Sequence, residues 1–396
     1  MRVADYYTFR EFTVEARDHR ITVAGKPGVW SWDRLNPGTA ALLEVADCQP
    51  DSRVLDLGCG TGVIGAAASV LAPRGRVTLV DCSVTAIACA ERTLKANGVA
   101  DASVQLSDGV TGLSPTFDLV LSHLPRGRAV QEQLIRGAAA VLSPGGLLYF
   151  VAGKRAGVKG AIEYARGVFG RCGVVRQKKG YHVAMAIKPD AAAGVQCLEL
   201  PSPEDLVVTR TITLDGTETT LVSKPGVFAW DRLDAGTEVL VSAMEIQADA
   251  CVLDLGCGTG LAGLAAARRA PGGRSVLVDA DIRAVDAARL TLVANGVTNA
   301  EVLPSDCGAA VLDRRFDVVI TNPPFHQGVG VDYEVACQFV RDAARVLRPG
   351  GRLFLVANRF LRYRDHIQEV FGNVATACAG NRYQVLTAVA QKPGVG

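Results

Sequence analysis

The feature that most constrains this chain is that it is written twice. Lys26-Pro27-Gly28-Val29 recurs as Lys224-Pro225-Gly226-Val227, and Trp32-Asp33-Arg34-Leu35 recurs as Trp230-Asp231-Arg232-Leu233. Ala96-Asn97-Gly98-Val99 recurs as Ala294-Asn295-Gly296-Val297, again at an offset of 198 residues. A repeat of that length is a whole domain rather than a solenoid unit, whose period runs to roughly 20–50 residues. At 396 residues the chain is too long for one ordinary core and suits two domains of common size. The first copy reads as residues 1–190, a linker as 191–203, and the second copy as 204–396. The Pro- and Ala-rich stretch Lys188–Pro203 marks the break.

Each copy alternates strands with helices. In the second, Ala250–Leu255 reads as a buried strand running into a glycine turn, with a helix beginning over Leu261–Arg269. Ser275–Val278 is a strand ending at Asp279, and Ile282–Asn295 a helix stopped by Gly296. Phe316–Thr321 is a strand, Ala336–Leu347 a helix and Leu353–Ala357 a further strand. This alternation predicts an α/β fold: two tandem Rossmann-like domains, each a mostly parallel, doubly wound sheet. Ligands in such sheets bind beyond the carboxyl ends of the strands.

Asp254-Leu255-Gly256-Cys257-Gly258-Thr259-Gly260 is the turn, and Gly258-x-Gly260-x-x-Gly263 matches the dinucleotide fingerprint. Taken alone that signal is shared with NAD enzymes. Asp279, after the second strand, is placed to accept from both hydroxyls of a ribose. Asp254 and Asp306 separate the alternatives. Asp254 suits the cationic ammonium of a methionine moiety, and Asp306 suits an adenine amine. Three carboxylates around a ligand favour a cation and repel a pyrophosphate. S-adenosylmethionine (SAM) is the cofactor these residues predict.

Downstream, Asn322-Pro323-Pro324-Phe325 follows a strand and falls at the same sheet edge. An exocyclic amine on a purine is a poor nucleophile because its lone pair is spread into the ring. If the Asn322 side-chain oxygen and the Pro323 carbonyl accept its two N–H groups, the nitrogen can pyramidalise and aim its lone pair at a methyl. No strong base is needed, because the amine starts neutral; positioning and oriented acceptors do the work. Phe325 can stack on the base, an interaction of about 1–3 kcal/mol in comparable settings.

Composition excludes other classes. Apolar content of 49% with 21% charged residues describes a soluble globular protein. No apolar run reaches the roughly 18 residues of a membrane helix, and Met1-Arg2-Val3-Ala4-Asp5 lacks a signal-peptide layout. Eleven cysteines without a C-x-x-C pair indicate reduced thiols in a cytoplasm, with neither a disulfide framework nor a metal site. The net charge of +2 hides a split: residues 1–190 hold 23 basic against 17 acidic residues, the remainder 19 against 23. Between Lys154 and Lys188, nine basic residues meet a single acid, Glu163, a pattern that can neutralise phosphates.

The glycine turn with its acids resembles the class I SAM-dependent methyltransferases. The Asn-Pro-Pro-Phe loop, its continuation His326-Gln327-Gly328, the later Asn358-Arg359-Phe360 and the duplication resemble the bacterial ribosomal RNA guanine-N2 methyltransferases of the RsmC and RlmG type. The resemblance covers essentially the whole chain, most specifically residues 222–390. It implies methylation of a guanine 2-amino group in ribosomal RNA of the small subunit by the second copy; the sequence leaves the oligomeric state open, with a monomer as the expectation. Asn322, Pro323, Pro324 and Phe325 then hold the amine, and Asp254, Gly256, Cys257, Gly258, Gly260, Asp279 and Asp306 hold SAM. His326 reads equally as a loop-fixing residue or a substrate contact. Other amines served by related loops are large-subunit guanine, DNA adenine and protein glutamine; a non-catalytic RNA-binding assembly factor is a reading of a different class.

The first copy departs from the second at the amine loop. His123, in Ser122-His123-Leu124-Pro125-Arg126, stands where Asn322 does, and the offset grows from 199 there to 205 at Pro144/Pro349, so six residues of the loop are missing. The resemblance implies a first copy that is inactive and often without its SAM motif. Here Asp56, Gly58, Gly60, Gly62, Asp81 and Asp108 all persist. The expected role of this copy is to hold RNA, through Arg126, Arg128 and the Lys154–Lys188 segment, or simply to stabilise the other.

Overall fold

The structure is a computed structural model that describes residues 6–114, 116–190, 207–324 and 330–391, with the side chains of 330–332 left aside. The linker read at 191–203, and Phe325 and His326 of the amine loop, lie outside the described residues. The chain divides into two compact units, Met1–Glu204 and Asp205–Gly396.

The first unit opens with an antiparallel hairpin, β1 (Arg10–Ala16) and β2 (His19–Gly25), followed by α1 (Pro37–Val45). Then come β3 (Arg53–Leu57), α2 (Val63–Leu71), β4 (Arg76–Asp81), α3 (Val84–Ala96) and β5 (Ser103–Leu106). β6 (Phe117–His123), α4 (Arg128–Val141), β7 (Leu142–Gly153), α5 (Val158–Phe169), β8 (Cys172–Lys178) and β9 (Tyr181–Ile187) complete it. The sheet order is β5-β4-β3-β6-β7-β9-β8, with the first five strands parallel and β9 antiparallel to both of its neighbours, β7 and β8.

The second unit repeats this. Its hairpin is β10 (Val208–Leu214) and β11 (Thr217–Ser223), followed by α6 (Ala235–Ala243) and β12 (Cys251–Leu255). α7 (Leu261–Arg269), β13 (Arg274–Asp279), α8 (Ile282–Ala294), β14 (Ala300–Pro304) and β15 (Phe316–Thr321) come next. α9 (Gly330–Val346), β16 (Leu347–Asn358), α10 (Tyr363–Phe371), β17 (Ala375–Ala379) and β18 (Tyr383–Val389) follow, in the order β14-β13-β12-β15-β16-β18-β17. The parallel, doubly wound sheets expected from the alternation are therefore present in both copies. The helix read at Ala336–Leu347 begins earlier, at Gly330, and the hairpins and terminal antiparallel pairs were not read at all.

Both sheet faces are covered, which is why the central strands are almost uniformly apolar. Along β6, Leu119 and Leu121 pack into one core while Val120, pointing the other way, packs into the second. Helix α7 lies close on its strand because Gly263 has no side chain: a Cβ there would fall 2.4 Å from Leu277 Cγ. The repeated Ala-Asn-Gly-Val segments also find their reason. Asn295 Nδ2 donates to Thr220 O (2.7 Å) and Thr291 O (2.7 Å), while its Oδ1 accepts from Thr220 N (3.1 Å). Asn97 repeats these contacts on Thr22 and Thr93. The residue thus ends its helix and satisfies the backbone of the docked hairpin.

Candidate active site

Four adjacent strands, β14-β13-β12-β15, end at one edge, and the candidate residues stand there in that order. Asp306 lies two residues past β14, Asp279 ends β13, the glycine turn follows β12, and Asn322 follows β15. Three strand spacings give a row about 15 Å long. That is long enough for a nucleoside carrying an amino-acid tail.

The turn is built from the inside. Asp254 is 2% exposed, and its Oδ2 accepts from Gly263 N at 2.8 Å, in the first turn of α7. An internal carboxylate therefore already occupies the donor end of that helix, where a dinucleotide enzyme would place a phosphate. Gly258 has φ +53°, its N–H donates to Asp279 Oδ2 at 2.9 Å, and an added Cβ would meet nothing within 4 Å. Its face is open to a ligand. Gly256 (φ +72°) and Gly260 (φ +79°) form the rest of the turn, and Gly260 starts α7. The Cys257 side chain is buried and burial holds its thiol well above the ordinary range, so it packs rather than reacts.

Asp279 is partly exposed; its Oδ1 accepts from Asp281 N at 2.9 Å, and α8 begins just beyond. Burial pushes the Asp254 carboxyl up to about 7, against the backbone donor of Gly263. Burial also pushes Asp279 up to about 6, against the donors of Asp281 and Gly258. Both acids are thus held in a state that a bound cation would relieve. Asp306 sits in a loop fixed by Ser305, whose Oγ donates to Cys307 O at 2.7 Å, and by Asp342, whose Oδ2 accepts from Gly308 N at 2.9 Å.

Thr321 Oγ1 donates to Leu255 O at 2.7 Å, locking the end of β15 to the end of β12 and so Asn322 to the glycine turn. Asn322 Nδ2 donates to Asp234 Oδ2 at 3.0 Å and to Thr237 Oγ1 at 3.1 Å. A carboxylate only accepts, so the amide orientation is set: nitrogen toward Asp234, oxygen away. Asn322 Oδ1 is buried and has no hydrogen-bond partner among the described residues. Leaving such an acceptor unpaired costs about 1–3 kcal/mol, a cost retained where function uses the atom. Pro323 is buried beside it and Pro324 partly so.

Asp234 and Thr237, which hold the Asn322 amide, were not assigned to the site from the sequence. Asp234 also caps α6, its Oδ2 accepting from Thr237 N at 3.0 Å. The available signal was a paired change: Asp234 and Asn322 in the second copy are Asn36 and His123 in the first. In the first copy His123 Nδ1 lies 2.9 Å from Thr39 Oγ1, and its ring packs edge-on to Trp30 and Tyr181, with centroids 4.5 and 5.7 Å away. Burial pushes His123 down to about 4, leaving it neutral at pH 7. Among the described residues no group of three or more His, Cys, Asp or Glu is placed to hold a metal ion, and no helix is long and apolar enough to cross a membrane.

The sequence matches the methyltransferase small domain family over residues 20–185 and again over 218–387. It is 36% identical over 270 residues to "Ribosomal RNA small subunit methyltransferase C" of Pseudomonas aeruginosa, covering 67% of this chain and 77% of that protein. Identity to the protein of the same name from Pseudomonas fluorescens is 34% over 286 residues, covering 71% and 81%. Among solved structures, the T. thermophilus 16S ribosomal RNA guanine-N2 methyltransferase RsmC, in complex with SAM and guanosine, superposes with a TM-score of 0.82 at 32% identity. That match covers 96% of this chain and 98% of that one. The two matched segments, the sheet order and the full-length superposition together place this chain in the methyltransferase small domain family and, within it, among the RsmC-type SAM-dependent methyltransferases.

Proposed function

We propose that the protein methylates the exocyclic 2-amino group of a guanine in small-subunit ribosomal RNA, and that the second copy performs the transfer. The observation that carries this reading is Asn322: its amide is clamped through nitrogen by Asp234 and Thr237, and its oxygen is buried and unpaired. SAM, when bound, supplies an electrophilic methyl on a cationic sulfur. The open Gly258 face fits a ligand of that kind, and the raised Asp254 and Asp279 carboxyls fit a cation.

In this reading Asp279 would accept from the ribose hydroxyls and Asp306 from the adenine amine, while the buried Asp254 would supply negative charge for the methionine end. Asn322 Oδ1 and the Pro323 carbonyl accept the two N–H groups of the guanine amine. Those acceptors localise the nitrogen lone pair and stabilise the positive charge that grows on nitrogen as the N–C bond forms and the methyl–sulfur bond breaks, its electron pair staying on sulfur. The surplus proton then leaves to water. Phe325 stacks on the base.

The first copy serves to hold RNA. Lys154, Arg155, Lys159 and Lys179 are exposed. Lys154 follows the carboxyl end of β7, with its N–H bonded to Gly180 O at 3.0 Å, and the charges of Lys154 and Lys159 both reach His182. These cations therefore gather at the carboxyl edge of the sheet. Lys178 contributes less, because it shares Glu44 with Arg176. The protein acts as a cytoplasmic monomer. The test is to incubate small subunits and naked ribosomal RNA with radiolabelled SAM and digest to nucleosides. N2-methylguanosine is expected; label in another nucleoside, or none, refutes the assignment.

A further inference from the structure

The glycine turn of the cofactor site exists twice, and the first copy keeps four of the hydrogen bonds that shape it. Gly60 N donates to Asp81 Oδ2 at 2.9 Å, as Gly258 N does to Asp279. Ser83 N donates to Asp81 Oδ1 at 2.9 Å, as Asp281 N does to Asp279. Gly65 N donates to Asp56 Oδ2 at 2.8 Å, as Gly263 N does to Asp254. Ser122 Oγ donates to Leu57 O at 2.7 Å, as Thr321 Oγ1 does to Leu255.

Two independent observations point to a ligand rather than a relic. Asp56 is fully buried at the end of β3, and its Oδ1 has no hydrogen-bond partner among the described residues. A buried acid with an unpaired oxygen costs the folded domain stability, and a domain that had turned purely structural has no use for that atom. The ligand face has also stayed clear. A Cβ on Gly58 (φ +79°) would meet nothing within 4 Å, and one on Gly60 only Val29 Cγ1 at 3.9 Å. At Gly256 the same probe runs into Phe339 at 2.8 Å, so at this position the first-copy turn is the more open of the two. The substrate half, by contrast, is closed by His123 between Trp30, Thr39 and Tyr181.

We propose that the first copy is a second binding site for an adenosyl amino acid, SAM or its demethylated product, held over the Gly58–Gly62 turn with its ribose on Asp81. The site retains the ligand without transferring from it, because the acceptor position beside the turn is filled by the His123 ring. The inference goes beyond the proposed reaction, and the second copy acts as an internal standard for it.

The experiment is calorimetric titration of the full chain with SAM and, separately, with S-adenosylhomocysteine. Two ligands per chain are expected with at least one of them. Asp81→Asn and Asp279→Asn should each reduce the count to one, weakening their own site at least tenfold. One ligand per chain, lost in Asp279→Asn and retained in Asp81→Asn, overturns the second site and leaves the proposed function standing. Two ligands with neither lost in Asp81→Asn also overturns it, by placing the second ligand elsewhere. No ligand at all overturns the cofactor assignment itself. The parent titration needs no variant, so a misfolded substitution cannot decide the matter.

Discussion

Replacing Asn322 by alanine tests the site at its most specific atom. The substitution removes one buried, unpaired acceptor, which the proposed function assigns to the amine, together with two donor contacts to Asp234 and Thr237 at 3.0 and 3.1 Å. By analogy with deleting one preorganised group that meets charge developing in the transition state, kcat should fall about 100- to 1000-fold, or about 2.7–4 kcal/mol. Folding should suffer less. The lost contacts cost about 1–3 kcal/mol, offset in part because an unpaired oxygen disappears with them. A net loss of about 1 kcal/mol would lower Tm by roughly 2–4 °C for a domain of this size. SAM affinity should stay within about threefold of the parent, because Asn322 follows β15, whereas the acids assigned to the cofactor lie at the ends of β12 and β13 and just past β14. The assay is single-turnover transfer of labelled methyl to small subunits, with SAM affinity from calorimetry on the same preparation. Asp279→Ala should show the converse, with the loss appearing in SAM affinity. Loss of SAM binding in Asn322→Ala with RNA binding intact would refute the assignment of this side chain to the substrate.

Asp234 should behave as a positioning residue: Asp234→Ala lowers kcat about tenfold or more and destabilises α6 by about 1 kcal/mol through the lost cap. Asp234→Asn, whose oxygen can serve both donors, should restore the stability and much of the rate; equal losses in both variants would show that orientation of Asn322 is not its role. SAM affinity should weaken as pH falls from about 7 through 6, where Asp254 and then Asp279 take up protons. The slope should not exceed about tenfold per pH unit for each proton coupled, and calorimetry in buffers of different ionisation enthalpy should detect proton release on binding. The ligand-free chain has the opposite dependence. Asp56, Asp254 and Asp279 hold protons to higher pH when folded than when unfolded, so its Tm should drop as pH rises from about 4 to 7; a rising Tm would contradict the burial argument. Neutralising Lys154, Arg155, Lys159 and Lys179 together should weaken RNA binding and flatten the log–log salt slope by about 3, and an unchanged slope would remove the first copy from the RNA contact.

The duplication, the doubly wound sheet and the glycine turn were legible in the sequence because each rests on local chemistry: periodic apolar strands, glycines where the backbone turns left-handed, and acids at strand ends. Asn322 was legible for the same reason, as a short polar loop after an apolar strand. Asp234 was not, because its role depends on contact with a residue 88 positions away, and only the docking of α6 against the end of β15 creates it. The terminal antiparallel strands also escaped, since β18 turns back onto β16 and, among the described residues, β17 pairs only with β18, arrangements that local sequence does not signal. Amide orientation is likewise a tertiary property. The sequence alone determined that an asparagine stands beside the cofactor turn, whereas the folded structure decided which of its atoms is left free, because acceptors brought by the start of α6 hold the nitrogen and leave the oxygen unpaired.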